Sequence, residues 1–367
     1  MSISDVNSGN LPKKYGKKVL IIKISALGDV MIGLPHIESL LSHHAGDRVW
    51  LITGPQFVEF FNNDPRIRVV VLDRKKRFSD NGVLATILWV AKQHFDYIYD
   101  LQGNGTSRRL VRFSRAGVRV GTQPRSIYTH HPAEEYTRES RQNVFERLNE
   151  TLLSGGAVVA SPGCSLIIPH GDEQFVEQWK REHDLVNGRY VLLHAGGSRK
   201  WRSKRWPAER FLALARRIEI AGMVCVWVGG PDDAAVNKML AARVGFNATD
   251  AFSVLQLYRL GAGALFAVTN DSGPMHILAA SGIPIYSFFG PTDWMRSHAA
   301  GQAKRVFTGD VPCSPCFKNR CPSAMGHKCM NAIGVASVFN KIFSEMLDHS
   351  PRQRPQNRSS GLELTMQ

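Results

Sequence analysis

From Lys17 onward, apolar residues gather in short unbroken runs, each followed by a polar, glycine-containing break and then by helix-spaced apolar positions. KKVLIIKI is suited to a strand buried on both faces, and SALGDVMIGLPHIESLL reads as a loop opening an amphipathic helix. VWLIT (Val49 to Thr53) and IRVVVL (Ile67 to Leu72) repeat the strand signal, and an apolar helix is predicted over Val83 to Gln93. DYIYDLQGNG then reads as a strand ending in a glycine-rich loop. Strands alternating with helices in this way predict a parallel α/β architecture.

A second round begins after a stretch near 154–172 that is broken by SGG, SPG and PHG. RYVLLHAGGS, MVCVWVGGPDD, ALFAVTNDSGP and IPIYSFFGPTD are four apolar strands that run straight into Gly, Ser, Asp or Pro, so their carboxyl ends align as loops. Ligands bind at that edge in open α/β sheets, and glycine turns let backbone N–H groups approach phosphate. Gly196, Gly197, Ser198, Gly229 and Gly230 are therefore candidate ligand-binding positions. The expected division is a flexible N-terminus at 1–16, one domain at 17–170, a second at 171–349 and a disordered tail at 350–367, where neither periodicity nor core residues remain.

The 367 residues suffice for two cores of ordinary size. No apolar stretch approaches the ~20 residues that span a bilayer. The opening MSISDVNSGNLPKKYGKK has no apolar segment of a secretory kind, so a cytoplasmic location is expected. Lys and Arg number 46 against 31 Asp and Glu, and the resulting +15 calls for a polyanionic partner: nucleic acid, anionic lipid or a phosphorylated small molecule. Residues 1–170 carry +7 and the remainder +8, and no surface motif interleaves basic with aromatic residues, so no nucleic-acid partner is expected. A nicotinamide-dependent oxidoreductase would need GxGxxG after the first strand, which SALGDVMIG does not supply.

TNDSGPMHILAASGIPIYSFFGPTD, Thr269 to Asp293, holds the densest chemistry. A strand ends at Thr269, Asp271, Ser272 and Gly273 form a turn, and Pro274 occupies a first helical position, where a missing N–H costs nothing. The N–H groups of Ser272, Gly273 and Met275 would then point from a helix N-terminus towards an anion such as a diphosphate leaving group. Capping by Asp271 and Ser272 is the plainer expectation for the same residues. His276 follows, with packing and substrate contact equally open.

NDSGPMHILAASG with FFGPTD, together with KISALGDVMIGLPHIESL near the N-terminus, resembles the ADP-heptose:lipopolysaccharide heptosyltransferases of glycosyltransferase family nine, over most of Lys17 to Val338. The resemblance implies a GT-B fold, α/β with two Rossmann-like domains facing across a cleft, the nucleotide sugar on the second domain and the acceptor on the first. It implies an inverting transfer from ADP-heptose in which Asp29 of SALGDV is the catalytic base, taking the proton of the acceptor hydroxyl. A helix-start acid stabilised by the dipole is the plainer expectation for Asp29. In HAGGSRKWRSKRWP, Lys204 matches the lysine that contacts the donor phosphates, with Lys200 a near alternative.

Gln102 to Arg125 contains six arginines and no acid. Arg108, Arg109, Arg112 and Arg115 fall at helical spacing, a face suited to an anionic lipopolysaccharide precursor, heptosylated Kdo-lipid A, and the same charge suits peripheral attachment to the inner leaflet. Gln102 and Asn104, in the loop after the strand, are candidate sugar-binding side chains. Cys313, Cys316, Cys321 and Cys329 crowd into one segment whose spacing admits a structural zinc or iron knot, while catalysis is expected to require no cofactor. FKNRCP and the general layout favour the second-heptose enzyme; a protein O-heptosyltransferase is the alternative that the cysteines favour and the arginines oppose.

Overall fold

A computed structural model describes residues 16–76, 79–137 and 139–349. The tail at 350–367, and the N-terminus at 1–16 apart from Gly16, lie outside the described residues.

In the first half the chain runs β1 (Lys18–Ile22), α1 (Leu27–His43), β2 (Arg48–Thr53), β3 (Ile67–Val71), α2 (Val83–Gln93), β4 (Tyr97–Asp100), α3 (Gly105–Phe113), β5 (Val118–Gly121) and α4 (Val144–Ser154). The five strands form a parallel sheet in the order β3-β2-β1-β4-β5. Successive β1 residues point to opposite sides. Val19 and Ile21 join the core under α1 and α4, whereas Leu20 and Ile22 join the core that includes Val90 of α2 and Leu110 and Val111 of α3. That two-sided burial explains why the strand reads as an unbroken apolar run.

The second half runs α5 (His170–Glu182), β6 (Tyr190–His194), α6 (Ala208–Ile220), β7 (Val224–Gly229), α7 (Ala234–Ala241), β8 (Phe246–Thr249), α8 (Val254–Gly263), β9 (Ala267–Asn270), α9 (Gly273–Ala280), β10 (Ile285–Phe289), α10 (Trp294–Ser297), β11 (Val306–Thr308), α11 (Lys328–Asn331) and α12 (Val335–His349). Its parallel sheet has the order β11-β10-β9-β6-β7-β8. The strands β5, β8 and β11, absent from the sequence reading, are all edge strands. Strand order reverses at β1/β4 in one sheet and at β6/β9 in the other, which marks the two crevices where doubly wound sheets take ligands. Helix α1 packs against α9, so the two switch points meet across the domain interface.

His36 ties α1 to α4. Its Nδ1 lies 3.1 Å from the Ile32 carbonyl oxygen and its Nε2 3.0 Å from that of Phe145. Both carbonyls favour the imidazolium, but burial outweighs them and pushes its pKa down to about 4. The unfolded chain therefore binds this proton first as pH falls, and stability rises with pH between about 4 and 6.5, by at most ~1.4 kcal/mol per pH unit. Buried Asp100, with its pKa raised by burial, acts in the opposite sense. The expected result is thus differential: urea unfolding at pH 7 and pH 5 should show a larger loss in the parent than in His36→Gln. Equal losses would exclude His36 as the source.

Candidate active site

The loop after β1 carries Asp29 in the first turn of α1, where its Oδ2 accepts the Ala26 N–H at 3.1 Å. Gln102, in the loop after neighbouring β4, holds that loop from below: its Oε1 accepts the N–H groups of Ile24 and Ser25, each at 2.8 Å. The ammonium of buried Lys23 donates to the Leu101 carbonyl at 2.9 Å. Burial lowers its pKa, while Asp29 and Asp100 favour its charge. Arg74 adds a bond from its guanidinium to Ser25 Oγ at 2.8 Å.

Opposite, α9 begins at the end of β9. A Cβ on Gly28 would stand 3.0 Å from His276 Cδ2, and one on Gly273 would stand 3.3 Å from Leu27 Cδ2. Glycine at both positions lets the starts of α1 and α9 approach this closely without displacing His276 or Leu27. Two positive helix ends, one from each domain, therefore converge on one cleft. His276 lies between them. Burial pushes its pKa down to about 4 even though Asp271 and Asp29 favour protonation, so it faces the cleft as a neutral imidazole at neutral pH.

Asp271 does not cap α9. Its Oδ2 receives Lys204 Nζ at 2.7 Å and Thr292 Oγ1 at 2.6 Å. Ser272 occupies the cap position without a capping side-chain bond; its hydroxyl is shared between the Asn270 carbonyl and His194 Nδ1, each at 3.1 Å. The expectation that these two residues cap the helix is corrected on both counts, because each side chain has a stronger claim from across the β6/β9 crevice. Met275 N–H is also spent, donating to the Ser272 carbonyl at 3.2 Å. It is not directed at an anion.

Lys204 is fixed by its surroundings. Two residues later, buried Trp206 packs at a tilt against the Phe288 ring, centroids 4.3 Å apart, and donates its indole N–H to the Ile333 carbonyl at 3.1 Å. The Trp206 N–H is taken by Asn270 Oδ1 at 2.9 Å, and Asn270 Nδ2 donates to the carbonyls of Ala195 and Gly196. Just before it, Ser203 is clasped by the cysteine-containing segment through Lys318, Asn319 and His327. Lys200 and Ser198 are exposed; the Lys200 N–H donates to Ser198 Oγ at 3.3 Å, and the Ser198 carbonyl accepts the Trp201 N–H at 3.0 Å. Of the two lysines singled out by sequence, Lys204 is the one joined to Asp271.

Asp233 organises the glycine turns and was missed by sequence reasoning. Its carboxylate accepts the N–H groups of Gly197 at 3.0 Å and Gly230 at 3.2 Å, and lies 3.3 Å from His194 Nε2. Side chains at Gly196 or Gly229 would collide with it. Burial alone would raise its pKa, but His194, the Gly197 N–H and Arg205 together hold it below the ordinary carboxylate value. A chain of bonds Ser272–His194–Asp233 thereby couples the loops after β9, β6 and β7.

On the first domain, Asn104 caps α3 by accepting from the N–H groups of Thr106 and Ser107, so its side-chain oxygen is committed to the helix. Gln102 is likewise committed through Oε1 to the Asp29 loop. Arg108 is half-buried and Arg109 and Arg112 are exposed on α3, whereas Arg115 lies beyond the helix end at Ser114 and not on its face. Arg141 crosses to the second domain and pairs with buried Asp293 at 3.0 Å. The pair flanks a polar cavity of about 280 Å³ that also includes Thr292, Trp294 and Asp310.

The four clustered cysteines are free thiols, and Cys329 is buried behind the close approach of Gly290. Burial raises the pKa of Cys329, as does the charge of Cys313, Cys321 and Cys316. Among the described residues, however, no three His, Cys, Asp or Glu side chains are arranged to hold a metal ion. The segment as folded holds Ser203 through the backbone carbonyls of Lys318 and Asn319 and the His327 side chain.

Two parallel Rossmann-like sheets, with one set of strand-end loops facing the other across α1 and α9, define the GT-B architecture. A family model described as glycosyltransferase family 9 (heptosyltransferase) matches residues 87–326. The chain belongs to that family and is a heptosyltransferase. It is 23% identical to lipopolysaccharide heptosyltransferase 1 of Pseudomonas aeruginosa, over 83% of this chain and 87% of that protein. It resembles the glycosyl transferase family 9 structure from Veillonella parvula with a TM-score of 0.73 at 20% identity, covering 90% of this chain and 97% of that one. It also resembles the E. coli heptosyltransferase WaaC with ADP, at a TM-score of 0.64 and 22% identity over 89% and 99% of the two chains.

Proposed function

We propose that the chain moves heptose from ADP-heptose onto the inner core of lipopolysaccharide with inversion, the second-heptose reaction being the favoured form. The observation that carries this is the Lys204–Asp271 pair at the start of α9, facing Asp29 at the start of α1. The acceptor oxygen bonds to the anomeric carbon as the bond to ADP breaks, its proton passes to Asp29, and the charge of departing ADP is met by Lys204 and the α9 N-terminus. ADP bound to a structural relative supports the donor assignment. The arginines of α3 supply the acceptor side, and they favour a phosphorylated glycolipid over a protein acceptor. The described residues hold no helix long and apolar enough to cross a membrane, which accords with the peripheral inner-face location we assign.

The direct test offers the purified protein ADP-heptose, UDP-sugars and GDP-sugars with a heptosylated Kdo-lipid A acceptor. Consumption of ADP-heptose alone is expected; use of a UDP- or GDP-sugar instead would overturn the donor assignment. Reversing charge at Arg108, Arg109 and Arg112 together should raise the acceptor KM and leave ADP affinity nearly unchanged, with added salt acting in the same direction. Loss of ADP affinity with an unaltered acceptor KM would reverse the division of labour between domains. No step is assigned to a metal, so chelator should leave the rate of folded protein unchanged. Arrest of turnover in protein that stays folded would place a metal in the chemistry.

A further inference from the structure

We infer that the outward side of α2 and α3 is a docking surface for an anionic phospholipid bilayer. The purpose of such docking rests on the lipid-anchored acceptor proposed above; its detection does not.

Helix α2 buries Thr86 and Val90 against the sheet and turns Leu84 and Leu88, 50% and 56% exposed, to the outside. They stand one helical turn apart, and the next turn on the same side brings exposed Lys92. Alongside, α3 buries Ser107, Leu110 and Val111 and presents Arg109, Arg112 and Phe113, the last 55% exposed. Arg115 follows, also exposed.

Neither helix contains an acid. Between Val83 and Arg125 the acids are Asp96, whose carboxylate accepts the Lys18 N–H at 2.7 Å, and Asp100, which is buried. Among the described residues, Lys92, Arg109, Arg112 and Arg115 make no ion pair, whereas Arg66, Arg141, Arg147, Arg259 and Arg305 each have a carboxylate partner. Unpaired cations around exposed leucine and phenylalanine are a combination that a soluble anionic sugar would use only by half, leaving the apolar side chains in water. A bilayer takes both, with the cations at the phosphates and the apolar side chains at the acyl boundary. Leu153, Val158 and Val159 are also exposed, but no Lys or Arg occurs from 148 to 169, so that patch lacks the charge for the same partner.

The position suits the chemistry. Helix α3 begins at Gly105, shortly after Gln102, which holds the Asp29 loop, and its nine residues span about 14 Å. A chain resting on this surface would therefore present its cleft within about that distance of the headgroups, where a membrane-anchored sugar acceptor lies.

The test uses the full chain and sedimentation with phosphatidylcholine vesicles, with and without phosphatidylglycerol. The parent should bind only the phosphatidylglycerol vesicles and dissociate as salt rises. L84Q/L88Q/F113Q should bind them at least about tenfold more weakly, while its melting temperature and its transfer to a deacylated, water-soluble acceptor stay at parental values. Arg115→Glu should also weaken binding, and L153Q/V158Q/V159Q should not. Equal binding to neutral vesicles, no binding by the parent, or parental binding by the triple variant L84Q/L88Q/F113Q would overturn the docking surface. Because the vesicles contain neither donor nor acceptor, those results leave the transferase reading standing. Vesicle binding without consumption of ADP-heptose would overturn that reading alone.

Discussion

Asp29→Asn is expected to lower kcat by ~10²–10⁴-fold while the affinity for ADP stays near its parental value. Two roles compete for this residue. As an acid in the first turn of α1 it stabilises the helix start, an effect worth about 0.3–1 kcal/mol. As a general base it would contribute about 3–5 kcal/mol to the barrier. Asparagine separates the two, because its Oδ1 can still accept the Ala26 N–H now held at 3.1 Å, whereas the amide cannot take a proton from the acceptor. The structural role predicts a small drop in melting temperature and parental turnover; the catalytic role predicts the reverse. ADP affinity is the control, since the loops to which we assign the nucleotide follow β6, β7 and β9 of the other sheet. Parental kcat in Asp29→Asn would remove it from the mechanism.

Which parts of this arrangement were legible in the sequence follows from burial. Central strands such as β1, β6 and β9 are covered on both faces and show as apolar runs. The edge strands β5 (VRVG), β8 (FNAT) and β11 (VFT) have three or four residues and water or loops on one side, so they carry little periodic signal. Their pairing is decided by the neighbour already in place. The glycines at 196, 197, 229 and 230 were visible, but the reason for them was not. Asp233, within GGPDD, fills the space that side chains at Gly196 and Gly229 would need, and it accepts the N–H groups of Gly197 and Gly230. His194 and Asn270 likewise begin or precede recognised motifs, HAGGS and NDSGP, and bind the loops of strands far apart in sequence. Asx-type capping at Asp271 was the local expectation. The non-local partner Lys204, 67 positions earlier in the chain, wins because a buried carboxylate gains more from an ammonium than from a backbone N–H.

The same pairing makes Lys204 the second residue with a large expected effect. Lys204→Ala should lower kcat/KM by ~10²–10³-fold, the usual cost of removing one group that stabilises charge formed in the transition state. It also leaves the Asp271 carboxylate, 7% exposed, with Thr292 as its hydrogen-bond donor, so a stability loss alone could mimic a catalytic one. A double variant resolves this. If Lys204 serves only to neutralise Asp271, then Lys204→Ala combined with Asp271→Asn removes the uncompensated charge and should restore turnover along with the melting temperature. If Lys204 neutralises departing ADP, the double variant should melt near the parent and remain at least about a hundredfold slow, since no cation has been returned to the leaving group. Weaker binding of ADP should accompany the loss, because the diphosphate carries its charge before and after transfer. Recovery of turnover in the double variant would assign Lys204 to the fold and leave the N-terminus of α9 as the sole stabiliser of the departing diphosphate.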